Sequence, residues 1–224
     1  MMRAEKINGI PVPYDKSIQE LEELLLTGNM NDFAVACEAL SHKTEHNSFE
    51  LLEGYITHKD KYKRLCVLKV IFRHPESPKL KWFLEESLLS KDILFAENGL
   101  KIVYAHNIDL KSSIILTAVR NHFHELHYTS LYALLCLDVN DESFFALVEL
   151  FEKSRSCGQK EVLCKILAEK YLPYKPRELF DLLSKDSFPK IRLMAVRIGK
   201  KYSFDVSQFA FDSDGHVRKE ACGI

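Results

Sequence analysis

A chain of 224 residues of which 46% are apolar can bury a substantial core, which excludes an extended, disordered polymer. Lys and Arg number 31 against 32 Asp and Glu, and this balance excludes a uniformly basic nucleic-acid-binding protein. No apolar run approaches the roughly 18 residues of a membrane span, and the N-terminal segment lacks the apolar stretch of a signal peptide, so we expect a cytoplasmic protein.

The cysteine pattern favours neither a disulfide framework nor a metal site. No CxxC pair occurs, and most of the six cysteines fall within apolar helical stretches. A free cysteine behaves as a small apolar side chain, so we expect buried, reduced thiols. The six are Cys37, Cys66, Cys136, Cys157, Cys164 and Cys222.

Hydrophobic periodicity predicts an all-α chain. Apolar residues recur every three or four positions from Ile18 onwards, and no segment alternates in the manner of a strand. Glycines and prolines fall mostly between the periodic segments, where they mark short links. Residues 1–16 form an N-terminal extension. The predicted helix pairs are 17–26 with 31–42, 48–58 with 60–74, 78–89 with 92–106, 109–122 with 126–138, 142–154 with 158–171 and 176–184 with 189–202, followed by a short remnant at 205–211 and 214–222.

The second helices of these pairs share a position that is mostly basic. It is occupied by Lys69, Lys101, Leu134, Lys165 and Arg197, at spacings of 32, 33, 31 and 32 residues. A helical hairpin of this length cannot bury its apolar face alone, so the period predicts hairpins that stack on one another. We therefore expect a single domain over 1–224, built as a right-handed α/α superhelix of six to seven hairpins with the second helices on its concave side.

Two short stretches near the C-terminus resemble the HEAT-repeat family. "IRLMA" at 191–195 and "VRKEA" at 217–221 are similar to the start of the second helix of a HEAT repeat, and Asp186 and Asp214 stand upstream as that pattern requires. The resemblance implies that Arg192 and Arg218 reach the Asp of an adjacent turn and set the stacking angle. The resemblance to the HEAT repeat is clear only over residues 186–224. The proline that often bends the first helix of the repeat is missing, so the chain is HEAT-like rather than regular.

The concave face is the predicted binding surface. The basic position of each second helix lies between apolar neighbours and should point away from the buried stripe, with a second, mixed row one turn further on. Mixed charge suits a polypeptide, whereas nucleic-acid phosphates favour uninterrupted Lys and Arg. The predicted partner-binding residues are Lys69, Arg73, Lys101, Asp138, Lys165, Glu169, Arg197 and Lys201.

A histidine-rich stretch is the one candidate for a metal site. "HFHELHY" places His122, His124 and His127 around Glu125, and His124 and His127 are spaced to share a helix face. No HExxH motif or second ligand cluster accompanies them, so a polar turn rich in histidine is the better interpretation. We expect no metal and no cofactor.

No motif for catalysis is present, so we expect a non-catalytic binding module or adaptor that holds a protein partner. The alternative is a HEAT-like DNA glycosylase, which would need aromatic residues and a carboxylate at the centre of its groove. The single tryptophan, Trp82, falls on a first helix and is expected in the core or on the convex side. A third interpretation is a structural element of a larger assembly with its short C-terminal helix docked on a partner.

Overall fold

The computed structural model describes residues 6–43, 46–71 and 78–223. Within these ranges the chain is almost entirely helical, which confirms the prediction of an all-α protein. The contacts between residues divide the chain into two units, Met1–Ile108 and Asp109–Ile224, which are described in turn.

The first unit contains a short strand pair and helices that pack in consecutive pairs. The elements are β1 Lys6–Ile7, β2 Ile10–Pro11, α1 Ile18–Thr27, α2 Met30–Leu40, α3 His46–Glu53, α4 Lys61–Ile71, α5 Pro78–Leu88 and α6 Ile93–His106. Helix α1 packs on α2, α3 on α4 and α5 on α6, and α2, α4 and α6 also contact one another in that order.

Capping side chains set where the first two helices begin. Ser17 accepts a hydrogen bond from the Glu20 N–H, and the Glu20 carboxylate accepts one from the Ser17 N–H at 2.8 Å. Hydrogen bonds from the backbone and hydroxyl of Ser17 lower the pKa of Glu20 to about 2. Asn29 and Asp32 form the same reciprocal pair at the start of α2.

The strand pair lies in the N-terminal extension and was not predicted from the sequence. Asn8 and Gly9 both have positive φ, at 52° and 82°, as a two-residue hairpin turn requires. The strands are too short to show a periodic pattern. The Asn8 side chain donates a hydrogen bond to that of Asn31 on α2, so this hairpin is attached to the first helix pair.

The second unit also consists of helices that pack in pairs. The elements are α7 Ser112–His122, a 3-10 helix Tyr128–Cys136, α8 Asp141–Lys153, α9 Cys157–Tyr171, α10 Pro176–Ser184, α11 Pro189–Tyr202, a second 3-10 helix Ser207–Phe211 and α12 Gly215–Cys222. Helix α8 packs on α9, α10 on α11, and the second 3-10 helix on α12, while α9 also contacts α11, and α11 contacts α12. Most helices lie within a few residues of their predicted bounds.

The segment after α7 differs from its predicted α-helix because it winds as a 3-10 helix over Tyr128–Cys136. Side chains of α9 bind the carbonyl groups at both ends of this segment. Gln159 donates to the carbonyl oxygens of Phe123 and Leu126, and Lys170 donates to those of Leu135 and Leu137. These bonds satisfy backbone carbonyl groups at the two ends of the segment and attach it to α9.

The cysteines are all free, but their burial differs from one to the next. Cys37 and Cys164 are buried, and burial raises the pKa of the Cys164 thiol to about 12. Cys222, near the end of α12, is exposed, contrary to the expectation for a buried thiol.

In the described ranges no helix is both long enough and apolar enough to cross a bilayer.

Gly199 tests the close packing of α11 against its neighbours. A Cβ at this position would lie 2.4 Å from Cγ1 of Val206 and 2.8 Å from Cε2 of Phe180. We expect Gly199→Ala to lower the free energy of unfolding by about 1–3 kcal/mol, because the added Cβ would overlap both neighbours and Phe180 is packed against Phe204 and Phe209. The measurement is urea unfolding followed by far-UV circular dichroism.

The matched control for this prediction is Gly158→Ala on α9. Its added Cβ would have Cδ1 of Tyr128 as the nearest atom, at an ordinary 3.7 Å. The control should leave stability unchanged or raise it by up to about 1 kcal/mol, since alanine favours a helix. Equal destabilisation by the two substitutions would contradict the packing argument.

Candidate functional site

The described residues of the predicted basic row in the first unit lie on α4 and α6, which pack against each other. Lys69 on α4 and Lys101 on α6 are both exposed. Lys101 forms an ion pair with Glu97, one turn earlier on α6. Arg73, predicted for the same surface, lies outside the described residues.

Large apolar side chains accompany these lysines. Tyr62 is 54% exposed on α4, and Leu94 and Tyr104 are 43% and 46% exposed on α6. Tyr62 precedes Lys69 by seven residues, a spacing that places both on one helix face. Leu94 and Tyr104 are seven residues before and three after Lys101, so they share its face. We call these five residues the α4–α6 surface.

The second unit places four of the predicted residues on α9 and α11, which also pack together. Lys165 and Glu169 on α9 and Arg197 and Lys201 on α11 are all exposed. The Arg197 guanidinium lies 3.6 Å from the carboxylate of Glu220 on α12. Arg197 therefore has a carboxylate close to it.

Lys165 likewise stands near a carboxylate. A hydrogen bond from Lys190 is the main cause that lowers the pKa of Glu161, and the charge of Lys165 lowers it further. Lys101 of the first unit and Arg197 and Lys165 of the second thus each have a carboxylate nearby. Such a surface attracts a polyanion less than its number of lysines suggests.

Two positions of the predicted rows are not on exposed helix faces. Leu134 lies in the first 3-10 helix and is fully buried. Asp138 lies after the end of that helix, where its carboxylate accepts a hydrogen bond from the Ser112 hydroxyl at 2.8 Å. Because the 3-10 helix replaces the predicted α-helix, the row is interrupted here.

One type of turn recurs before the second helices. In each case a polar side chain accepts a hydrogen bond from the backbone N–H two residues later, which fixes the entry to the following helix. The acceptor–donor pairs are His58 with Asp60, Ser90 with Asp92, Ser154 with Ser156, Asp186 with Phe188 and Asp212 with Asp214.

A cation often stands six residues after the accepting side chain of this turn. Nη1 of an arginine donates to the backbone carbonyl oxygen of the turn residue in three of these turns. The pairs are Arg64 with His58 at 2.8 Å, Arg192 with Asp186 at 2.9 Å and Arg218 with Asp212 at 2.6 Å. In the turn of Ser154 the residue at this position is Lys160.

In the second unit two of these cations also reach the next turn along the chain. Lys160 forms an ion pair with Asp186, and the two side chains are only 11% and 2% exposed. Arg192 binds Asp212 through Nε and Nη2, each at 2.7 Å. These hydrogen bonds lower the pKa of the Asp212 carboxyl and raise that of Arg192.

The predicted stacking residues thus have distinct roles. Arg192 bridges to an adjacent turn, but the carboxylate it binds is Asp212 and not Asp214. Asp214 instead caps α12 by accepting hydrogen bonds from the N–H groups of His216 and Val217. Arg218 binds backbone carbonyl oxygens at the start of its own helix.

The exposed basic row of the sequence does not include Lys160 and Arg64. Arg64, Lys160 and Arg192 lie 96 and 32 residues apart, which are multiples of the same period, and each precedes a predicted basic residue by five positions. The signal was present in the sequence. It is harder to see because Ala96 and Tyr128 occupy the positions between Arg64 and Lys160, whereas the exposed row of basic residues is interrupted only at Leu134.

A cavity of about 370 Å³ lies beside Arg64 in the first unit. It is lined by the turns that precede α4 and α6 and by residues of α4, α5 and α6. The lining includes Trp82 on the first helix α5, which is 49% exposed, so the core is excluded of the two locations expected for it, the core and the convex side. The hydroxyl of Ser87, also in the lining, is buried and has no hydrogen-bond partner among the residues that the structure describes.

The three histidines of the predicted turn do not converge. His122 is buried at the end of α7, whereas His124 and His127 are exposed. Nδ1 of His127 is within 2.7 Å of the Thr129 hydroxyl and helps to start the 3-10 helix. Across the described residues, no group of three or more His, Cys, Asp or Glu side chains is placed to hold a metal ion.

Comparison with known proteins finds no matching family model, no matching curated protein and no matching solved structure.

The Lys160–Asp186 pair is the sharpest test of the contacts between turns. Lys160→Met would leave the nearly buried Asp186 carboxylate without its cation, so we expect a loss of about 3–5 kcal/mol in unfolding free energy. Adding Asp186→Asn, which keeps an acceptor for the turn, should recover a large part of it. Urea unfolding of both single variants and the double variant measures this coupling.

The control for that cycle is Lys153→Met on α8. Lys153 pairs with Glu149, and the two side chains are 61% and 40% exposed. An exposed pair contributes about 1 kcal/mol or less. If Lys160→Met and Lys153→Met were equally mild, the buried pair would not hold the turns together.

The Arg192–Asp212 pair predicts a dependence of stability on pH. The pKa of Asp212 is lower in the folded chain than in the unfolded chain, so its contribution is complete above the unfolded value of about 3.9 and is lost as the pH falls through the folded value. In Arg192→Gln the pKa of Asp212 should rise, and this loss on acidification should shrink. Carboxyl ¹³C NMR titration and urea unfolding at several pH values measure both effects.

Asp205 is the internal control for the titration. Hydrogen bonds from the backbone and side chain of Ser207, independent of Arg192, lower its pKa. The pKa of Asp205 should therefore be the same in the parent chain and in Arg192→Gln. An unchanged pKa for Asp212 would show that Arg192 does not stabilise its carboxylate.

Proposed function

We propose that this chain is a non-catalytic binding module that holds a polypeptide partner on its exposed second-helix faces. The observation that carries the proposal is the α4–α6 surface, where Tyr62, Leu94 and Tyr104 stand exposed beside Lys69 and Lys101. Exposed aromatic and aliphatic side chains supply binding energy, and the neighbouring charges orient the partner.

A HEAT-like arrangement of helix pairs is part of this proposal. Its support is the order of contacts within each unit: α2, α4 and α6 touch in sequence in the first, and α9, α11 and α12 do so in the second. The recurring turns and the cations that follow them are further support. The right-handed superhelix expected from the sequence would present these second helices as one face.

Protein binding is favoured over duplex-DNA binding by the carboxylates beside the cations. Glu97 pairs with Lys101, and Glu220 lies beside Arg197. DNA affinity rests on the neutralisation of phosphates by unpaired Lys and Arg and weakens steeply with salt. A glycosylase would retain duplex DNA in a low-salt gel shift and release an alkylated base, whereas the proposed module would do neither.

Charge reversal on α4 and α6 tests the proposed surface. We expect Lys69→Glu with Lys101→Glu to reduce retention of the specific partner at least tenfold, because both substitutions oppose the charges that orient it. The parent chain and the variant would be used to capture proteins from nuclease-treated native lysate, with quantitative mass spectrometry. The second unit is tested in the same way with Lys165→Glu and Arg197→Glu.

The matched control reverses two charges on α5, the first helix of the same pair. Lys79 and Lys81 are both exposed, and Lys79, like Lys101, has a carboxylate partner, Glu53. Lys79→Glu with Lys81→Glu changes the net charge equally and should retain the partner. If the partner were lost equally from both variants, or from neither, the α4–α6 surface would not be its binding site.

A further inference from the structure

The cavity beside Arg64 lies apart from the exposed faces proposed above and has the properties of a second binding site. Its volume of about 370 Å³ is within the range of small-ligand pockets. It combines charged, hydroxyl and aromatic groups in one place. Those that matter for recognition are Arg64, Trp82, Glu86, Ser87, Ser90 and Asp92.

Arg64 presents one unused edge of its guanidinium group. Nη1 donates to the carbonyl oxygen of His58, and the group lies 5.4 Å from the ring centre of Phe95. Within the described residues, Nε and Nη2 have no hydrogen-bond acceptor. In Arg192, whose Nη1 makes the same backbone contact, these two nitrogens bind both carboxylate oxygens of Asp212. The edge that Arg64 leaves unused is thus the edge that binds a carboxylate elsewhere in the chain.

The missing carboxylate can be traced to one residue. Lys160 pairs with Asp186, the accepting residue of the next turn, and Arg192 pairs with Asp212 in the same way. For Arg64 the accepting residue of the next turn is Ser90, 26 positions later, as Asp186 is from Lys160.

Ser90 retains the local role of this position but not its charge. Its hydroxyl accepts a hydrogen bond from the Asp92 N–H at 3.1 Å, as the carboxylate of Asp186 does from Phe188 at 2.9 Å. The turn is therefore preserved. A serine is shorter than an aspartate and carries no charge, so it cannot neutralise Arg64.

Ser87 supplies a second polar group that a ligand would satisfy. Its side chain is 2% exposed, and the hydroxyl makes no hydrogen bond to any residue that the structure describes. A buried hydroxyl without a partner costs about 1–3 kcal/mol. A ligand oxygen or amide group within reach would remove that penalty.

The remaining lining defines the charge and shape of the ligand. Glu86 and Asp92 balance Lys61 and Arg64, so a dianion such as phosphate is disfavoured, whereas a single carboxylate meets the free edge of Arg64. Trp82 offers an exposed aromatic surface next to it, which suits an apolar neighbour. A carboxylate followed by an apolar group describes an Asp or Glu side chain within a peptide.

We propose that this cavity binds an aspartate or glutamate of a partner polypeptide, with the carboxylate on Nε and Nη2 of Arg64 and the adjacent apolar residue against Trp82. The site goes beyond the binding surface of α4 and α6 because it uses other side chains. The chain's own Asp212, bound to Arg192, shows the arrangement that the ligand would adopt.

Trp82 allows a direct test, since it is the one tryptophan of the chain. The probe is the blocked peptide acetyl-Leu-Asp-Leu-amide, titrated to about 10 mM while Trp82 emission is recorded, because single-site peptide contacts bind in the millimolar range. We expect a saturable change, and at least tenfold weaker binding of the asparagine counterpart. No saturable change with the aspartate peptide, or equal binding of both peptides, would overturn the proposal.

Acetate and inorganic phosphate distinguish the source of the anion. Acetate should bind at least tenfold more weakly than the peptide, because it lacks the apolar neighbour. Phosphate should bind no better than acetate, because Glu86 and Asp92 repel a second negative charge. If acetate matched the peptide, or phosphate exceeded it, the cavity would be a site for a free anion and not for a polypeptide.

Ser90→Asp places the chain's own carboxylate opposite Arg64. We expect it to weaken binding of the aspartate peptide at least tenfold and to raise the thermal midpoint of unfolding. Arg64→Gln should weaken peptide binding to the same extent without the gain in stability, with its fold checked by circular dichroism. The control is Ser187→Asp, an exposed turn position of the second unit, which should leave peptide affinity unchanged.

These variants separate this proposal from the one above. Ser90→Asp leaves the residues of the α4–α6 surface in place, so partner capture can persist while peptide binding at Trp82 is lost. Unchanged peptide affinity in both Ser90→Asp and Arg64→Gln would overturn the carboxylate site. That result would not affect the interpretation of Lys69 and Lys101.

Discussion

Ion pairs between consecutive turns are the constraint on which the second unit depends. The Lys160 ammonium and Asp186 carboxylate are nearly buried together, and Arg192 holds Asp212 through two parallel hydrogen bonds. Each carboxylate also accepts an N–H of its own turn, so a single side chain fixes both the start of a helix and the distance to the preceding helix pair. A buried pair adds little stability over apolar packing, but loss of one partner is costly, and the pair therefore specifies one arrangement.

The same constraint explains which cations remain exposed. Five residues rotate a helix by about 140° beyond a full turn, so a side chain five positions after an inward-facing cation points away from it. Lys165 follows Lys160 in this way, and Arg197 follows Arg192; both are exposed. The regular row of the sequence, to which Lys165 and Arg197 belong, therefore lies on the solvent side of the helices. The less regular row, to which Lys160 and Arg192 belong, connects the helix pairs.

The first unit departs from this pattern at one position. Ser90 keeps the turn but supplies no carboxylate, and Arg64 consequently faces a cavity with Trp82 and Ser87 in its lining. The first unit also carries the exposed apolar residues of the α4–α6 surface, whereas the corresponding places are Gly158 and Ala168 on α9 and Lys190 and Lys200 on α11. Both proposed binding sites therefore lie in the same unit, where, among the residues that the structure describes, Arg64 has no carboxylate partner and the apolar side chains of the α4–α6 surface are exposed.

The sequence by itself determined the helices, because their starts depend on neighbouring residues: Ser17 with Glu20 and Asn29 with Asp32 form caps within three positions. It could not determine the 3-10 segment over Tyr128–Cys136, since the bonds that favour it come from Gln159 and Lys170 on another helix. The choice of Asp212 over Asp214 was likewise decided in three dimensions. Asp212 and Asp214 both follow "IRLMA" in the sequence. In the structure Arg192 binds Asp212, whereas Asp214 accepts hydrogen bonds from the first N–H groups of α12. Local hydrogen bonds depend on residues that are close in the sequence, whereas contacts between turns depend on the distance and angle at which whole helices pack.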